Sequence, residues 1–584
     1  MARRSTTIIL TLLGAAVLVS MAALVLLYLL VGREPPVPSN ATLVLEIGGD
    51  LAELAPNDVF GYLRGARTSV LRTVLDNLRK AKADTRVTAV LLKPTGFTTP
   101  YWGKIQEIRD AVVDFRASGK PVYAYLEYGG DREYFLATAA DKVFLMPSSP
   151  LELTGVASYE LFLRGTLDKI GAYADLHHVG KYKSAVNTFT EHGFTPDHRE
   201  VTESLNRDLY EQIVRGIAQG RKKTDADVRT LVDEGPFLPE AALRAGLIDE
   251  VAYEDQVQEK LTPGNNRRTI DGHRYGAVSI GVSRGPRIAV IYAVGAITSG
   301  PSGFDPVNGG VVGSDTLIES IRQARRDRSI RAIVLRIDSP GGSATASDAI
   351  WRELMITRQE RADRPIVASM SDLAASGGYY IAMPAQAIVA QGSTLTGSIG
   401  IFGGKYVMGG VFQKLGTNIE SASIGRHAEI NSPARPYNAD ETKKIDEQLH
   451  AFYDQFVEKV ADARHSTPEK IDQIAQGRVW TGRQAKDNGL VDALGGLDEA
   501  VRKAKELANI AADSDVQLVP YPPRKSFFDV VSEAMSGSGE ARWLSANLSS
   551  AENDALRALR AARGPFAMFR RGEPLALMPL TFLR

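Results

Sequence analysis

The chain contains no cysteine among its 584 residues. Disulfides, thiolate nucleophiles and cysteine-ligated zinc are therefore excluded. It also has no excess of charge, because 69 Lys and Arg balance 69 Asp and Glu for a formal net charge of +0. A nucleic-acid partner is not expected, since such proteins usually carry a basic domain or stripe. The sequence has no Walker phosphate loop and no His-Glu-x-x-His motif, so we expect no nucleotide, no metal and no other cofactor.

A long uncharged stretch lies at the N-terminus. Arg3 and Arg4 precede a run from Ser5 to Gly32 that is dominated by Leu, Val, Ala and Ile. This run is longer than the apolar region of a cleaved secretory signal and long enough to cross a bilayer. The positive-inside tendency places the two arginines in the cytoplasm and the rest of the chain outside it. The predicted segments are a cytoplasmic tail at 1–5, a transmembrane anchor at 6–32 and a stiff, proline-rich linker at 33–40.

The remainder of the chain repeats itself weakly, at a period of about 245 residues. Five landmarks recur in the same order, and short β-branched strands alternate with helical stretches, which predicts two related α/β domains. The paired landmarks are Leu43–Gly49 with Ile288–Gly295, Asp84–Leu92 with Asp327–Leu335, Tyr134–Ala137 with Tyr379–Ala382, Leu153–Val156 with Leu395–Ser398, and Gly246–Asp249 with Gly489–Asp492.

The predicted domain boundaries follow from this repeat. An early half spans 41–262, a turn-rich linker spans 263–286 and a later half spans 287–510. The tail, 511–584, is rich in Ala, Ser and Arg and ends in a mixture of Phe, Met, Leu, Pro and Arg. The composition of this end favours equally a surface or oligomer-contact segment and a disordered tail.

Two glycine-rich motifs occur only in the later half. Gly341 and Gly342 follow a strand, at the place where the early half has Thr95-Gly96. Ser376 precedes Gly377 and Gly378, where the early half has Asp-Arg-Glu. Adjacent glycines bring backbone N–H groups close to a ligand, and such groups can hold the oxyanion that forms when a carbonyl is attacked. The alternatives are an ordinary strand-to-helix turn and a serine packed among small residues.

A serine hydroxyl is a weak nucleophile and needs a base. The early half carries Lys183, and the later half has Ala428 at the equivalent position. Burial lowers the pKa of a lysine far enough for it to accept a proton, although most lysines are solvated surface residues. A histidine base such as His178 or His427 stays open, because members of a triad are adjacent in space and not in sequence. The complementary losses favour a single site assembled across both halves.

At these residues the chain resembles a known family. It is similar to the long, duplicated form of signal peptide peptidase A, or protease IV, within the Clp-protease/crotonase superfamily. The resemblance covers the chain from the anchor to about residue 510 and is strongest in four motifs, Asp338–Ser343, Ala375–Tyr380, Thr394–Gly400 and Tyr182–Ala185.

The resemblance implies a Ser–Lys dyad, with Ser376 as nucleophile, Lys183 as base and Ser398 as a supporting hydroxyl. It implies oxyanion contacts from Gly341, Gly342 and Gly377, and a crotonase-like β-spiral in each half after the N-terminal transmembrane helix. The expected activity is that of a serine endopeptidase that degrades signal-peptide remnants and other unfolded apolar peptides through an acyl-enzyme. The expected setting is a homo-oligomer, a tetramer, on the bacterial inner membrane with its catalytic domains on the extracytoplasmic side.

Two other functions compete with this interpretation. A crotonase-type enzyme would act on acyl thioesters with the glycine oxyanion hole and no nucleophile, but coenzyme A is cytoplasmic and the predicted domains are not. An inactive peptide-binding scaffold would have no need of both Ser376 and Lys183.

Overall fold

The computed structural model describes residues 34–54, 70–261, 268–281, 285–305, 309–522, 573–579 and 582–583. The predicted anchor at 6–32 lies outside these residues. Within the described ranges, no helix combines the length and apolar character needed to cross a membrane.

The early half is built on a six-stranded sheet in which every pairing is parallel. Its central strands are runs of Val, Leu and Ala buried on both faces, as is typical of a parallel sheet covered by helices. From edge to edge the strands are Glu250–Val251, Lys142–Leu145, Val122–Leu126, Val87–Phe97, Ala41–Gly49 and Thr269–Asp271.

The later half repeats this strand order in a second sheet. Six of its strands pair in parallel in the same sequence as the first sheet, and two more, Leu395–Gly397 and Val479–Thr481, extend it beside Ile366–Ala375. The six matching strands are Ala493–Leu494, Ala387–Ala390, Ile366–Ala375, Ile330–Ser339, Arg287–Val294 and Gln517–Tyr521. The predicted α/β class is confirmed, and the shared strand order supports the predicted duplication.

A third sheet draws strands from both halves and from the C-terminal tail. Tyr173–Val179 of the early half pairs antiparallel with Ile401–Val407 of the later half. The full order is Gly303–Asp305, Gly309–Gly313, Ala296–Thr298, Gly341–Ser343, Leu575–Leu577, Ile401–Val407 and Tyr173–Val179. A separate two-stranded pairing joins Phe582–Leu583 to Ser158–Tyr159.

Helices cover the faces of the sheets, and the longest of them, Pro196–Arg221 and Ala439–Ala463, occupy matching places in the two halves. The other helices of the early half are Leu71–Ala83, Gly103–Arg116, Asp131–Ala137, Arg164–Ile170, Asn187–Thr190, Asp225–Glu234, Pro239–Arg244, Glu254–Leu261 and Gly272–Gly276, with a 3-10 turn at Ser184–Val186. Those of the later half are Ser314–Arg326, Ala344–Glu360, Gly377–Ala382, Gly409–Lys414, Pro468–Ile474, Gly482–Asp487 and Leu497–Leu507.

Parts of the predicted linker and of the predicted tail form strands of the sheets. Within the predicted linker 263–286, Thr269–Asp271 pairs with the first strand of the early half. For the tail we predict either a surface or oligomer-contact segment or a disordered end. Neither describes residues 575–578, because Leu575, Ala576 and Met578 are buried within this chain. Their apolar side chains pack in a groove between the two halves. The composition of the tail alone does not reveal this groove.

A buried cluster of charges joins the halves. The Arg336 guanidinium of the later half donates to Glu53 of the early half at 2.8 and 3.0 Å and to Glu107 of the early half at 2.7 Å. Ser369 and Ser371 hydroxyls lie 3.0 and 3.1 Å from the same guanidinium. A buried charge is tolerated when it is paired and hydrogen-bonded, and we expect this cluster to specify how the halves meet.

Replacing Arg336 tests this role. Arg336→Met leaves Glu53 and Glu107 buried without their cation, and we expect the free energy of unfolding to fall by about 3–5 kcal/mol. Urea unfolding followed by tryptophan fluorescence measures the change. Arg352→Met, at an exposed position of the same half, is the matched control and should stay within about 0.5 kcal/mol of the parent. Equal losses in the two variants would contradict a structural role for the buried cluster.

Candidate active site

Ser376 occupies a sharp turn between a strand and a helix. It follows Ile366–Ala375, precedes Gly377–Ala382 and adopts φ 55°, the left-handed region that few non-glycine residues enter. The turn is held on both sides, because the Ser376 N–H donates to the Gly397 carbonyl at 2.7 Å and the Ser376 carbonyl accepts from Tyr380 N–H at 2.9 Å. Such a strained elbow projects its side chain away from the sheet, and strain of this kind concentrates at functional sites.

Lys183 belongs to the early half, and strand pairing in the third sheet places it beside this turn. The antiparallel register pairs Val179 with Ile401 and thereby brings the residues after Val179 beside those before Ile401. Lys183 is four residues beyond Val179, and Ser398 is three residues before Ile401. The loop is also anchored by Tyr182 N–H, which donates to the Gln476 carbonyl at 2.8 Å.

The amine and two hydroxyls meet in the interior. Lys183 Nζ lies 2.8 Å from Ser376 Oγ, 3.0 Å from Ser398 Oγ and 3.1 Å from the Ser398 carbonyl oxygen. The exposed fractions of Lys183, Ser376 and Ser398 are 1%, 0% and 0%. Gly477 leaves room for Lys183, because a β-carbon at position 477 would lie 2.6 Å from Lys183 Cα.

Burial controls the charge of this amine. Transfer of an ammonium group out of water disfavours its charged form, and burial lowers the pKa of Lys183 well below its ordinary value. Its neighbours are hydroxyls and a carbonyl, which accept or donate hydrogen bonds without supplying a compensating negative charge. A neutral amine within hydrogen-bond distance of a serine hydroxyl can take the proton of that hydroxyl.

Three glycines form a notch next to Ser376. A β-carbon on Gly341 would lie 2.6 Å from Gly377 N, and one on Gly377 would lie 3.1 Å from Gly342 N. The absent side chains therefore allow another backbone to approach these N–H groups. The Gly341 N–H already donates to Ser339 Oγ at 3.2 Å, so Gly342 and Gly377 carry the N–H groups better suited to a ligand.

All six residues singled out from the sequence come together here, namely Ser376, Lys183, Ser398, Gly341, Gly342 and Gly377. The two alternative histidine bases contact other groups. His178 Nδ1 lies 3.1 Å from the Gly180 carbonyl, and His427 Nε2 lies 2.5 Å from Asp440 Oδ2. Because the amine of Lys183 occupies the place beside Ser376 Oγ, the geometry favours lysine over either histidine.

Sequence reasoning missed the buried ion pairs next to the glycine motif. Lys104 of the early half makes an ion pair with Asp338 at 2.7 Å and a longer one with Asp372 at 3.4 Å. Asp338 precedes Ser339, and its carboxylate also accepts from Leu373 N–H at 3.1 Å. Asp338 stands in a motif that the sequence displays, but nothing in the spacing indicates that its partner is a lysine of the other half.

The comparisons with known proteins agree with a serine peptidase. Peptidase family S49 matches the chain twice, at residues 114–267 and 358–511. The chain is 35% identical to "Serine protease SPPA, chloroplastic" of Arabidopsis thaliana over 469 residues, which cover 78% of this chain and 68% of the relative. It is 36% identical to "Protease 4" of Salmonella typhi over 80% of this chain and 76% of the relative. It is 28% identical to "Protease 4" of Haemophilus influenzae over 83% of this chain and 82% of the relative.

Site and relatives together define a serine endopeptidase, a hydrolase of peptide bonds, and the alternatives of an acyl-thioester enzyme and an inactive scaffold are not favoured. The chain belongs to peptidase family S49, in its long form with two copies of the family domain.

The buried amine should also leave a signature in stability. Between the lowered pKa of folded Lys183 and the value near 10.5 of the unfolded chain, the unfolded state binds one more proton. The free energy of unfolding of the parent should therefore rise by about 1.4 kcal/mol per pH unit relative to Lys183→Met, up to about pH 10.5. Urea unfolding at several pH values between 7 and 11 measures this difference.

The matched control is Lys169→Met, which removes an exposed lysine. We expect the difference between the parent and this control to stay flat over the same range. A flat difference for Lys183→Met as well would mean that Lys183 is charged in the folded protein.

Proposed function

We propose that the peptidase uses Ser376 as its nucleophile and Lys183 as its general base. The observation that supports this assignment most directly is the 2.8 Å separation of Lys183 Nζ and Ser376 Oγ, both of which belong to buried side chains. Burial supplies a neutral amine at pH values where an exposed lysine is charged, and the turn at Ser376 holds its hydroxyl against that amine.

The reaction proceeds in two chemical steps, acylation of the enzyme and hydrolysis of the acyl-enzyme. Ser376 Oγ attacks the carbonyl carbon of a peptide bond as its proton passes to Lys183 Nζ. The C–N bond then breaks, and the leaving amine takes that proton, which leaves an ester between Ser376 and the amino-terminal part of the substrate. Lys183 next takes a proton from water, the hydroxide attacks the ester, and the proton returns to Ser376 Oγ as the new carboxyl group leaves.

Backbone N–H groups of the glycine notch stabilise the oxyanion in both steps. We assign this role to the N–H groups of Gly342 and Gly377. The N–H of Gly341 donates to Ser339 instead, so Gly341 contributes by its missing side chain, which leaves the notch open. Ser398 holds Lys183 in place through its hydroxyl and its carbonyl. It therefore acts as a positioning residue.

The wider setting rests on the sequence and on the relatives. We propose that 6–32 anchors the protein in the bacterial inner membrane, with the peptidase halves on the extracytoplasmic side. The substrates are signal-peptide remnants and other unfolded apolar peptides, and each half folds as a crotonase-like β-spiral. Assembly into a homo-oligomer, a tetramer, completes the proposal. The order of strands that the two halves share supports a common ancestral unit.

Removal of either dyad member should abolish turnover. We expect Ser376→Ala and Lys183→Ala to lower kcat for a fluorogenic apolar peptide by about 10⁴-fold or more, because members of a catalytic unit are not additive. Ser320→Ala and Lys405→Ala, which also remove a buried serine and a buried lysine, are the matched controls and should retain turnover. Circular dichroism checks the fold of each variant. Turnover by a folded Ser376→Ala protein would refute the proposed nucleophile.

The pH dependence separates lysine from histidine as the base. Since only neutral Lys183 accepts a proton, kcat/KM should rise with pH through the lowered pKa of this residue and then level off. Initial rates between pH 5 and 10 give this profile. His178→Ala and His427→Ala should keep both the rising limb and its midpoint. A limb that disappears in either histidine variant would assign the base to that histidine.

A further inference from the structure

Two neighbouring strands of the later half lead to the candidate active site. Ile330–Ser339 runs into the glycine motif, and Ile366–Ala375 ends directly before Ser376. Their parallel pairing is irregular near its end, where a single residue of the first strand, Asp338, stands against residues 371–373 of the second. We call residues 371–373 the bulge. A bulge removes hydrogen bonds between strands and bends its own strand, so the last residues before the nucleophile need support from elsewhere.

Carboxylates supply that support. The Leu373 N–H donates to Asp338 Oδ1 at 3.1 Å, which joins the bulge to the neighbouring strand. Asp372, in the middle of the bulge, accepts from the Lys104 N–H of the early half at 2.9 Å. Lys104 lies in the first turn of the helix Gly103–Arg116, and the residue before this helix makes no side-chain cap. The carboxylate of Asp372 therefore caps a helix of the other half.

One ammonium group joins the two carboxylates. Lys104 Nζ lies 2.7 Å from Asp338 Oδ2 and 3.4 Å from Asp372 Oδ2, and the three side chains are 7%, 12% and 2% exposed in that order. Gly103 packs on the same bulge, since a β-carbon there would lie 3.0 Å from the Ser371 carbonyl oxygen and 3.0 Å from Asp372 Oδ1. The early half thus contacts the bulge through a charge and through a close approach of its backbone.

Lys104 and Lys183 are both buried lysines of the early half, but their surroundings differ. Hydroxyls and a carbonyl surround Lys183, and burial lowers its pKa. Burial opposes the charge of Lys104 as well, but Asp338 and Asp372 outweigh this effect and raise the pKa of Lys104 above its ordinary value. Lys104 therefore stays an ammonium group, and its charge-assisted contacts hold the two carboxylates more strongly than a neutral amine would.

We propose that Lys104 is a positioning residue of the peptidase, which keeps the bulge before Ser376 in place against the strand that leads into the glycine motif. This inference rests on the proposed function, because it takes Ser376 as the nucleophile. Since the bulge ends three residues before Ser376, a shift of the bulge moves the Ser376 hydroxyl relative to Lys183 Nζ and to the oxyanion notch. Lys104 acts through Asp338 and Asp372, so its effect on catalysis is indirect.

The first test is the steady-state kinetics of Lys104→Met in the full chain with a fluorogenic apolar peptide. We expect kcat to fall at least about tenfold while KM stays within about twofold, because a misplaced nucleophile slows the chemistry and leaves substrate binding intact. Lys104→Arg keeps a cation beside both carboxylates and should recover most of kcat.

The matched control is Lys93→Met. It removes a largely buried lysine that pairs with Glu254 at 2.9 Å within the early half, and it should leave kcat unchanged. Equal kcat values for Lys104→Met and this control, or an effect of Lys104→Met on KM alone, would overturn the proposal.

A second variant separates position from charge, because carboxylates that lose their cation also cost stability. Gly103→Ala leaves the ion pairs in place but sets a methyl group 3.0 Å from the Ser371 carbonyl oxygen. We expect kcat to fall at least about threefold with KM unchanged. Gly193→Ala, where an added β-carbon has no neighbour within 4 Å, is the matched control and should leave both constants unchanged. The same kcat in the two alanine variants would contradict the role of the bulge, whether or not Lys104→Met folds.

A double variant identifies the route of the effect. Asp338→Asn keeps an oxygen for the Leu373 N–H but removes the ion pair, so adding Lys104→Met to it should lower kcat by less than about threefold further. Losses that multiply in full would overturn action through Asp338. Turnover by a folded Ser376→Ala protein would defeat the proposed nucleophile, whereas an inactive Ser376→Ala protein together with an unaffected Lys104→Met protein would overturn the positioning role alone.

Discussion

The structure of the site depends on keeping the amine of Lys183 out of water. An ammonium group loses its hydration when it is buried, and here hydroxyls and a carbonyl replace the water without a carboxylate to keep the charge. The neutral form is therefore favoured, as the lowered pKa indicates. Neither half could create this environment by itself, because the loop that carries the lysine belongs to one half and the hydroxyls around it to the other.

The need to join the halves accurately explains the buried charges between them. Arg336 with Glu53 and Glu107, and Lys104 with Asp338, place fully paired ions where two apolar surfaces could otherwise slide. Buried ion pairs add little net stability compared with apolar contacts, but a misplaced one is costly. In this protein Arg336 and Asp338 both belong to Ile330–Ser339, the strand that leads into the glycine notch. The ion pairs therefore tie that strand to the early half.

The third sheet brings the parts of the candidate site together. One of its pairings, Val179 with Ile401, places Lys183 beside Ser398, and Gly341–Ser343 of the same sheet pairs with Ala296–Thr298 on one side and with Leu575–Leu577 on the other. The same set of strand pairings therefore fixes both the loop that carries the lysine and the glycine motif.

Much of this was accessible from the sequence, and the reason is local. The duplication and the α/β class show in landmarks that both halves share. Lys183, Ser376 and the glycines show as motifs that only one half carries, which predicts a shared site, whereas the role of Ser398 came from the family resemblance. Adjacent glycines and a serine at a strand end have consequences for the backbone that no tertiary information is needed to predict. The N-terminal anchor at 6–32 stays a prediction from the length of its apolar run, because those residues lie outside the described ranges.

Other features depended on residues far apart in the chain. Without the family resemblance, the residues alone could not choose between Lys183 and a histidine, because the geometry that favours lysine rests on the register between Tyr173–Val179 and Ile401–Val407. It could not pair Lys104 with Asp338 or Arg336 with Glu53, because such ion pairs leave no periodic pattern. It also could not place Leu575–Met578, a short apolar run whose partner strands lie more than a hundred residues earlier. Motifs determine which groups are available for chemistry, whereas long-range strand pairing and burial decide which of them meet and in which charge state.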